Sequence, residues 1–253
     1  ITKTVDMING DFSFIYSDGK RIMAARDPVG VRPMFYTRYD ENSIAFASEV
    51  KALVSLGSTI HIFPPGHIYD SYINDFVCYH TGYWRVNKHV NNKMINEIRQ
   101  SFEDAVHLRL ANTERDIGFL LSGGLDSSLI ASIASRKIGK IKTFSIGLEG
   151  SPDLIAARKV AKYLDTDHTE VKFTPQEGIS HLTDVIHSLE SYDTTTVRAS
   201  TPMWLLCKYI KQHTSCRYIF SGEGSDEILG GYLYFHNAPN VEEFVGENMR
   251  RLR

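Results

Sequence analysis

The chain has 253 residues, 42% hydrophobic and 23% charged, which is the balance of a folded globular protein with one large or two ordinary domains. A formal net charge of -2, with no run of Lys or Arg before the closing Arg250-Arg251-Leu252-Arg253, argues against nucleic acid as a partner. No apolar stretch approaches the roughly 20 residues that span a bilayer, so no membrane is expected either.

Residues 1 to about 85 read as antiparallel β structure. Phe12-Ser13-Phe14-Ile15-Tyr16 and Arg21-Ile22-Met23-Ala24-Ala25 flank Ser17-Asp18-Gly19-Lys20, whose Asp-Gly pair is a hairpin signal. Residues 33–39 and 43–48 form a second pair around Asp40-Glu41-Asn42, and Pro64-Pro65-Gly66 interrupts the pattern before 67–72. A further hairpin around Asn74-Asp75 ends at Tyr83-Trp84. Repeated pairs with no long helix predict sheet packed on sheet.

From about residue 92 the period changes. Ile95, Ile98, Phe102, Ala105, Val106 and Leu110 recur at helical spacing. Alternation follows: strand 117–121, helix 127–137, strand 142–148, helix 152–164, strand 168–173. A helix over about 175–190 starts at Thr174-Pro175-Gln176-Glu177, which supplies a capping Thr, Pro at the first helical position and a Glu three residues after the cap. A helix over about 202–213 and a strand at Arg217-Tyr218-Ile219-Phe220 complete the series. Strands alternating with helices predict a mostly parallel, doubly wound sheet with ligands beyond the carboxyl ends of its strands. Cys78, Cys207 and Cys216 show no metal-ligand spacing and cannot all pair, so they read as thiols of a reducing compartment, and a cytoplasmic protein is expected.

The chemistry concentrates in two turns. Leu120-Leu121-Ser122-Gly123-Gly124-Leu125-Asp126-Ser127-Ser128 lies between a predicted strand and a predicted helix. That geometry aims backbone N–H groups and a positive helix end at one point. Gly123 and Gly124 admit a ligand close to the backbone, and the serines add donors suited to phosphate oxygens. No Lys follows the glycines, so this is not the G-x-x-x-x-G-K-[ST] loop. Asp126 would repel a phosphate chain unless a divalent cation lay between them, which implies a nucleotide with magnesium. The competing reading is a glycine-rich turn with no ligand.

Ser221-Gly222-Glu223-Gly224-Ser225-Asp226-Glu227 follows the last predicted strand, at the same sheet edge. Alone, an acidic glycine turn reads as a solvated loop. Paired with the first turn, it places Asp126 and Asp226 as candidate holders of a magnesium ion. Two unit charges about 4 Å apart interact by roughly 4 kcal/mol at an effective dielectric near 20, so unbridged carboxylates would oppose phosphate strongly.

The Ser-Gly-Gly-Leu-Asp-Ser turn resembles the pyrophosphate loop of N-type ATP pyrophosphatases. With Gly150-Ser151-Pro152-Asp153-Leu154, Glu190-Ser191-Tyr192-Asp193, Arg198-Ala199-Ser200-Thr201-Pro202-Met203 and Gly230-Gly231-Tyr232-Leu233-Tyr234-Phe235-His236, the chain resembles the glutamine-hydrolysing asparagine synthetases. Arg26-Asp27-Pro28-Val29-Gly30-Val31-Arg32-Pro33 and residues 46–53 resemble that family's class II glutaminase region. The resemblance implies an α/β protein in two parts. Residues 1–88 would be an incomplete, antiparallel, β-rich αββα-type glutaminase domain, and 89–253 a doubly wound, parallel-sheet ATP pyrophosphatase-like domain truncated on its C-terminal side.

The resemblance further implies a ligase that uses ATP and Mg2+ to convert aspartate to asparagine through β-aspartyl-AMP, with nitrogen from glutamine or ammonia. On the matching positions, Ser122, Gly123, Gly124, Leu125, Asp126 and Ser127 would hold the pyrophosphate. Leu121 and Ile146 would meet the adenosine through backbone groups, and Ser221 and Gly222 would complete the pocket. Glu223 would act in forming the acyl-adenylate and in ammonia attack, with Thr195 and Arg198 beside the reacting phosphate. The oligomeric state stays open, with a homodimer among the options. Two other readings stand beside the leading one: a β-lactam-forming synthetase of the same ancestry, and a non-catalytic nucleotide-binding descendant.

The chain departs from the family pattern in places. It opens Ile1-Thr2-Lys3-Thr4 where the family's glutaminase begins with a catalytic cysteine, and it carries Asn9-Gly10 where the family usually has Asp-Gly. A neutral Asn binds the glutamine ammonium less well than Asp, so weak glutamine use is expected. The chain is expected to be an internal fragment of a longer protein and inactive alone.

Overall fold

The computed structural model describes residues 2–40, 43–57, 59–80 and 91–251. The expected strand end at Tyr83-Trp84, the Glu41-Asn42 part of the second turn and the expected domain boundary at residue 88 lie outside the described residues. The chain divides into two compact units, Ile1–Val86 together with Tyr234–Arg253, and Asn87–Leu233.

The first unit begins with a short helix, α1 (Thr2–Met7), which the sequence reading did not foresee. It continues through β1 (Ser13–Ser17), β2 (Ile22–Arg26), β3 (Phe35–Arg38), β4 (Ile44–Ala47), β5 (Ile60–Ile62), β6 (His67–Asp70) and β7 (Asp75–Cys78). All pairings are antiparallel, in two sheets ordered β1-β2-β6-β7 and β4-β3-β5. The Asp18-Gly19 hairpin forms as expected: Asp18 Oδ1 accepts from the N–H groups of Lys20 (2.9 Å) and Arg21 (2.8 Å), and Gly19 takes φ +87°. Ala24, Met34, Phe63 and Tyr69, joined by Tyr36, Ile44, Phe46 and Phe76, fill the space between the sheets. On the other face of the four-stranded sheet, Val5 of α1 packs with Met23, Ala25 and Ile68. Alternate residues of β2, Ala24 against Met23 and Ala25, thus serve opposite faces, as the pleat requires. β5 escaped the sequence reading because Ile60-His61-Ile62 is too short to show alternation.

The second unit runs α2 (Asn92–Ala111), β8 (Ile117–Leu120), α3 (Leu125–Ile138), β9 (Lys142–Gly147), α4 (Pro152–Leu164), β10 (Asp167–Lys172), α5 (Pro175–Ser180), α6 (Leu182–Leu189), α7 (Thr194–His213), β11 (Tyr218–Phe220) and α8 (Ser225–Leu229). Its sheet is wholly parallel, in the order β10-β9-β8-β11. Phe119, Leu121 and Phe220 face one side, packed with Val106 of α2, Ala131, Ile133 and Ala134 of α3, and Ala157 and Ala161 of α4. Phe144, Leu120, Ile146, Val171 and Ile219 face the other side, against Leu206 and Ile210 of α7. The sheet is therefore covered on both faces, as a doubly wound fold demands. Phe144 reaches this position because β8 carries Gly118, where a Cβ would come within 2.7 Å of the Phe144 ring.

Two helices differ from expectation. The capping box at Thr174 forms, with Thr174 Oγ1 accepting from Glu177 N (3.2 Å) and Glu177 Oε2 accepting from Thr174 N (2.6 Å). The single helix expected over 175–190 is nevertheless two, because His181 leaves the helical region (φ -101°, ψ 3°) just after Gly178, a weak helix former. Helix α7 begins at Thr194 and not near residue 202. Asp193 caps it by accepting from Thr196 N (2.7 Å) and Thr196 Oγ1 (2.8 Å), and Pro202, read from sequence as a helix start, lies inside. These bonds hold the Asp193 carboxyl below its usual range. Helices α8 and, in the first unit, α9 (Val241–Arg251) were not expected.

Candidate nucleotide site

From β8 the chain steps to β9 and then β10 on one side, and returns by way of α5, α6 and α7 to lay β11 on the other side. The strand order therefore reverses between β8 and β11, and a crevice opens beyond the carboxyl ends at such a reversal. Phe220 pairs with Phe119 and Tyr218 with Ile117, so both strands end at one rim. The turns they feed are the two that carry the candidate chemistry.

The first turn is tied by its own hydroxyls. Ser122 Oγ lies 3.0 Å from Ser127 Oγ and accepts from Gly124 N (3.2 Å), while Ser127 Oγ accepts from Ser122 N (3.2 Å). Gly123 has φ +82°, and a Cβ there would lie 2.5 Å from the backbone of Ala156, so only glycine lets the turn rest on α4. Gly124 is the N-cap of α3 and gives it no side-chain hydrogen bond. The first-turn donors and the positive end of a 14-residue helix thus face the crevice without a side-chain cap.

The second turn lies directly on the first. A Cβ at Gly222 would come within 3.1 Å of Asp126 Cβ and of Ser127 N, so the backbones meet closely here. Ser221 Oγ accepts from Glu223 N (3.2 Å), and Ser225 Oγ donates to Gly222 O (3.0 Å). Gly224 enters α8 at φ +94°.

Together the turns enclose a cavity of about 170 Å³. Of the residues singled out from sequence, Ser122, Gly124, Asp126, Ser127, Ser221, Gly222, Glu223 and Asp226 line it. Leu121 is buried just beneath, its N–H donating to Phe144 O (2.8 Å), and Ile146 packs on the α7 face of the sheet. Gly123 supports the turn from behind, and Leu125 is exposed at the start of α3. Thr195 and Arg198 lie exposed on the first turns of α7. Arg198 lines a separate, mostly apolar cavity of about 650 Å³ with Leu148, Phe173 and Ile179.

Sequence reasoning assigned no role to Met203, Glu227 or Tyr232, which also line the cavity. Glu227 closes the acidic turn that was recognised. Met203 and Tyr232 fell within motifs that carried the family resemblance, but were given no role of their own.

Among the described residues, the lining holds the carboxylates of Asp126, Glu223, Asp226 and Glu227 and no Lys, Arg or His. Such a donor set repels phosphate and suits a hard, oxygen-seeking cation. Among the described residues no three His, Cys, Asp or Glu side chains are grouped to hold a metal ion. One or two carboxylates, with water and phosphate oxygens, is the ligation that magnesium characteristically accepts. The carboxylate oxygens of the lining are donors of the type that Mg2+ accepts.

The asparagine synthase family model matches residues 97–253, and that of a glutamine amidotransferase domain matches residues 1–55. The chain is 46% identical to the glutamine-hydrolysing asparagine synthetase of Zea mays, over 98% of this chain and 44% of that relative. A probable asparagine synthetase (glutamine-hydrolysing) of Dictyostelium discoideum is 45% identical over 98% and 48% of the two chains. The chain thus spans about half the length of the curated relatives it matches. Among solved structures, the NH3-dependent NAD synthetase of Campylobacter jejuni is similar with a TM-score of 0.39 and 19% identity, over 54% of this chain and 60% of that one.

Proposed function

Because the chain belongs to the asparagine synthase family, we propose that its parallel-sheet unit is the nucleotide-binding part of an ATP-dependent ligase that converts aspartate to asparagine. The observation that carries this reading is the meeting of two small-residue turns, 122–127 and 221–226, around one acidic, phosphate-sized cavity at the strand-order reversal.

In the proposed reaction an oxygen of the aspartate side-chain carboxylate attacks the α-phosphorus of ATP. The bond to the bridging oxygen breaks, and pyrophosphate leaves with the electron pair. Ammonia then attacks the acyl carbon of β-aspartyl-AMP, AMP departs, and the nitrogen gives up a proton. The cavity of about 170 Å³ is smaller than the roughly 300–1,000 Å³ of pockets that enclose drug-sized ligands. It is matched to the phosphates, and the nucleoside is left to the strand ends at Leu121 and Ile146. The N-terminal end of α3, which has no side-chain cap, would stabilise charge as pyrophosphate forms. Glu223, which lines the cavity from the facing turn, would accept the proton released in ammonia attack.

Asp126 and Asp226 would hold Mg2+, whose part is to neutralise phosphate charge. Arg198 and Thr195 are assigned to the reacting phosphate by the family resemblance. The amidotransferase-domain match over residues 1–55 supports glutamine as nitrogen source, with free ammonia as the other donor. Three free thiols, Cys78, Cys207 and Cys216, support a cytoplasmic setting.

The test is pyrophosphate release by the protein with Mg2+, ATP and ammonia, with and without aspartate. Aspartate-dependent release with matching AMP is expected, and release indifferent to aspartate refutes the substrate.

A further inference from the structure

Beyond the carboxyl ends of β9 and β10 lies the second cavity, of about 650 Å³, which shares no lining residue with the cavity of the two turns. Leu148 and Phe173, which directly follow those strands, line it. Ile179, Leu182 and Ile186, spaced three and four apart, line it from α5 and α6. The break between those helices at His181 keeps them from closing over one another. Helix α7 adds one face, Thr194, Val197, Arg198 and Thr201. Thr201 belongs to the apolar wall, because its hydroxyl donates to Val197 O (2.7 Å) and its methyl is what a Cβ on Gly178 would meet at 3.6 Å. Among the described residues, Arg198 is the charged member of this lining, and no carboxylate joins it. Asp193, just ahead of this face in sequence, is committed to the cap of α7. Ile179 stands 65% exposed and Leu148 43%, so apolar surface here still faces water.

We propose that this cavity binds a small organic monocarboxylate with a hydrocarbon body, its carboxylate at Arg198 and its chain against Phe173, Ile179 and Ile186. The volume falls within the roughly 300–1,000 Å³ of pockets that enclose small ligands, which are mostly apolar with a few polar groups to fix orientation. The guanidinium sets the sign of the head group, and its planar fork pairs with both oxygens of a carboxylate. The branched aliphatic wall sets the body. An apolar amine would meet Arg198 as a like charge, and a neutral alcohol would forgo the charge-assisted pair. Aspartate fits poorly, because its second carboxylate and its ammonium would lie against leucine and isoleucine without partners. The ligand is therefore distinct from the substrates of the proposed reaction, and the inference does not depend on the nucleotide reading.

The test is titration calorimetry of the whole 253-residue chain with butanoate, hexanoate and octanoate, and with octanol and octylammonium as head-group controls. Affinity is expected to rise about 4-fold with each added methylene. Octanoate is expected to bind about 10-fold tighter than octanol, the scale of one hydrogen bond to a charged group, and octylammonium more weakly than either. In Arg198→Gln, octanoate falls to the affinity of octanol while octanol is unchanged; a merely structural role for Arg198 would weaken both alike. Ile179→Gln weakens octanoate and octanol together, by about 10-fold. Both side chains are exposed, so the ligand-free unfolding temperatures of the two variants stay at that of the unsubstituted chain. No binding, equal affinity for octanoate and octanol, indifference to chain length, or binding untouched by Ile179→Gln overturns the proposal. Displacement of octanoate by Mg2+ with ATP, or by aspartate, would give the cavity to the substrates of the proposed reaction and overturns it too. Dimerisation that Ile179→Gln abolishes, in a chain that takes up no octanoate, would assign this face to a second copy and likewise overturns it. Failure of the nucleotide reading shows separately, as an unfolding temperature that Mg2+ with ATP does not raise.

Discussion

At Gly222 a single absent methyl group decides whether the two turns can touch. A Cβ there would lie 3.1 Å from Asp126 Cβ and 3.1 Å from Ser127 N, and the second neighbour is backbone at the start of a helix, which gives way poorly. Overpacking of this kind costs about 1–3 kcal/mol. Because the turns lie at the sheet rim and not in its core, Gly222→Ala is expected to relieve the strain by parting them. The outcome is an affinity for Mg2+ with ATP lowered about 10-fold by titration calorimetry, the equivalent of roughly 1.4 kcal/mol, with little change in unfolding temperature. Gly246→Ala, where a Cβ meets open space within α9, is the control and should leave binding untouched. The importance of glycine in the acidic turn was legible from sequence. Its reason was not, since the clash is with a residue almost a hundred positions away and only strand pairing brings the two together.

Elements with a local signal were read well, and those with a tertiary cause were not. Strands β8 to β11 and helices α3 and α4 announced themselves through apolar runs punctuated by Gly, Ser and Pro. Helix α7 did not, because Pro202 carries a stronger local start signal than Asp193, although the packing of Val197 and Leu206 extends the helix on both sides of the proline. Strand order is equally hidden: alternation foretold a parallel sheet, while the placing of β11 beside β8 is a non-local choice. Between β9 and β10 a polar ladder was likewise invisible. His168 Nδ1 lies 2.8 Å from Thr143 Oγ1 and its Nε2 lies 3.0 Å from Ser145 Oγ, both on buried residues. Burial holds the His168 pKa below its ordinary value of 6.5, against a smaller opposing pull from Glu170. Between the ordinary and the lowered value the unfolded chain binds more protons than the folded one, so stability rises with pH across that window and is lost as pH falls through it. Unfolding temperature measured from about pH 5 to about pH 8 should fall on the acid side, and His168→Gln should flatten that part of the curve. An unchanged slope would remove His168 from the account.

On the scale of the molecule, each buried apolar cluster found among the described residues draws its members from one unit. The candidate site, too, is built wholly from residues 120–232, within the second unit. A ligand that binds only the folded form of one unit stabilises that unit by mass action, by about 2.7 kcal/mol at one hundred times its dissociation constant. Scanning calorimetry of the chain should therefore resolve two transitions, of which Mg2+ with ATP raises one. Limited proteolysis should assign the shifted transition to the parallel-sheet unit, and a uniform shift of both would contradict the placing of the site in that unit alone. The neighbouring of β8 and β11 has a consequence in time as well as in space. As the polypeptide emerges from the ribosome, β8, β9 and β10 appear in sequence and can begin to collapse, but the partner of β8 on its free edge arrives only after α5, α6 and α7. Until then the nascent chain holds the 122–127 turn without its partner turn, beside an open strand edge. On the proposed reading, a nucleotide would steady the fold only once synthesis has passed β11.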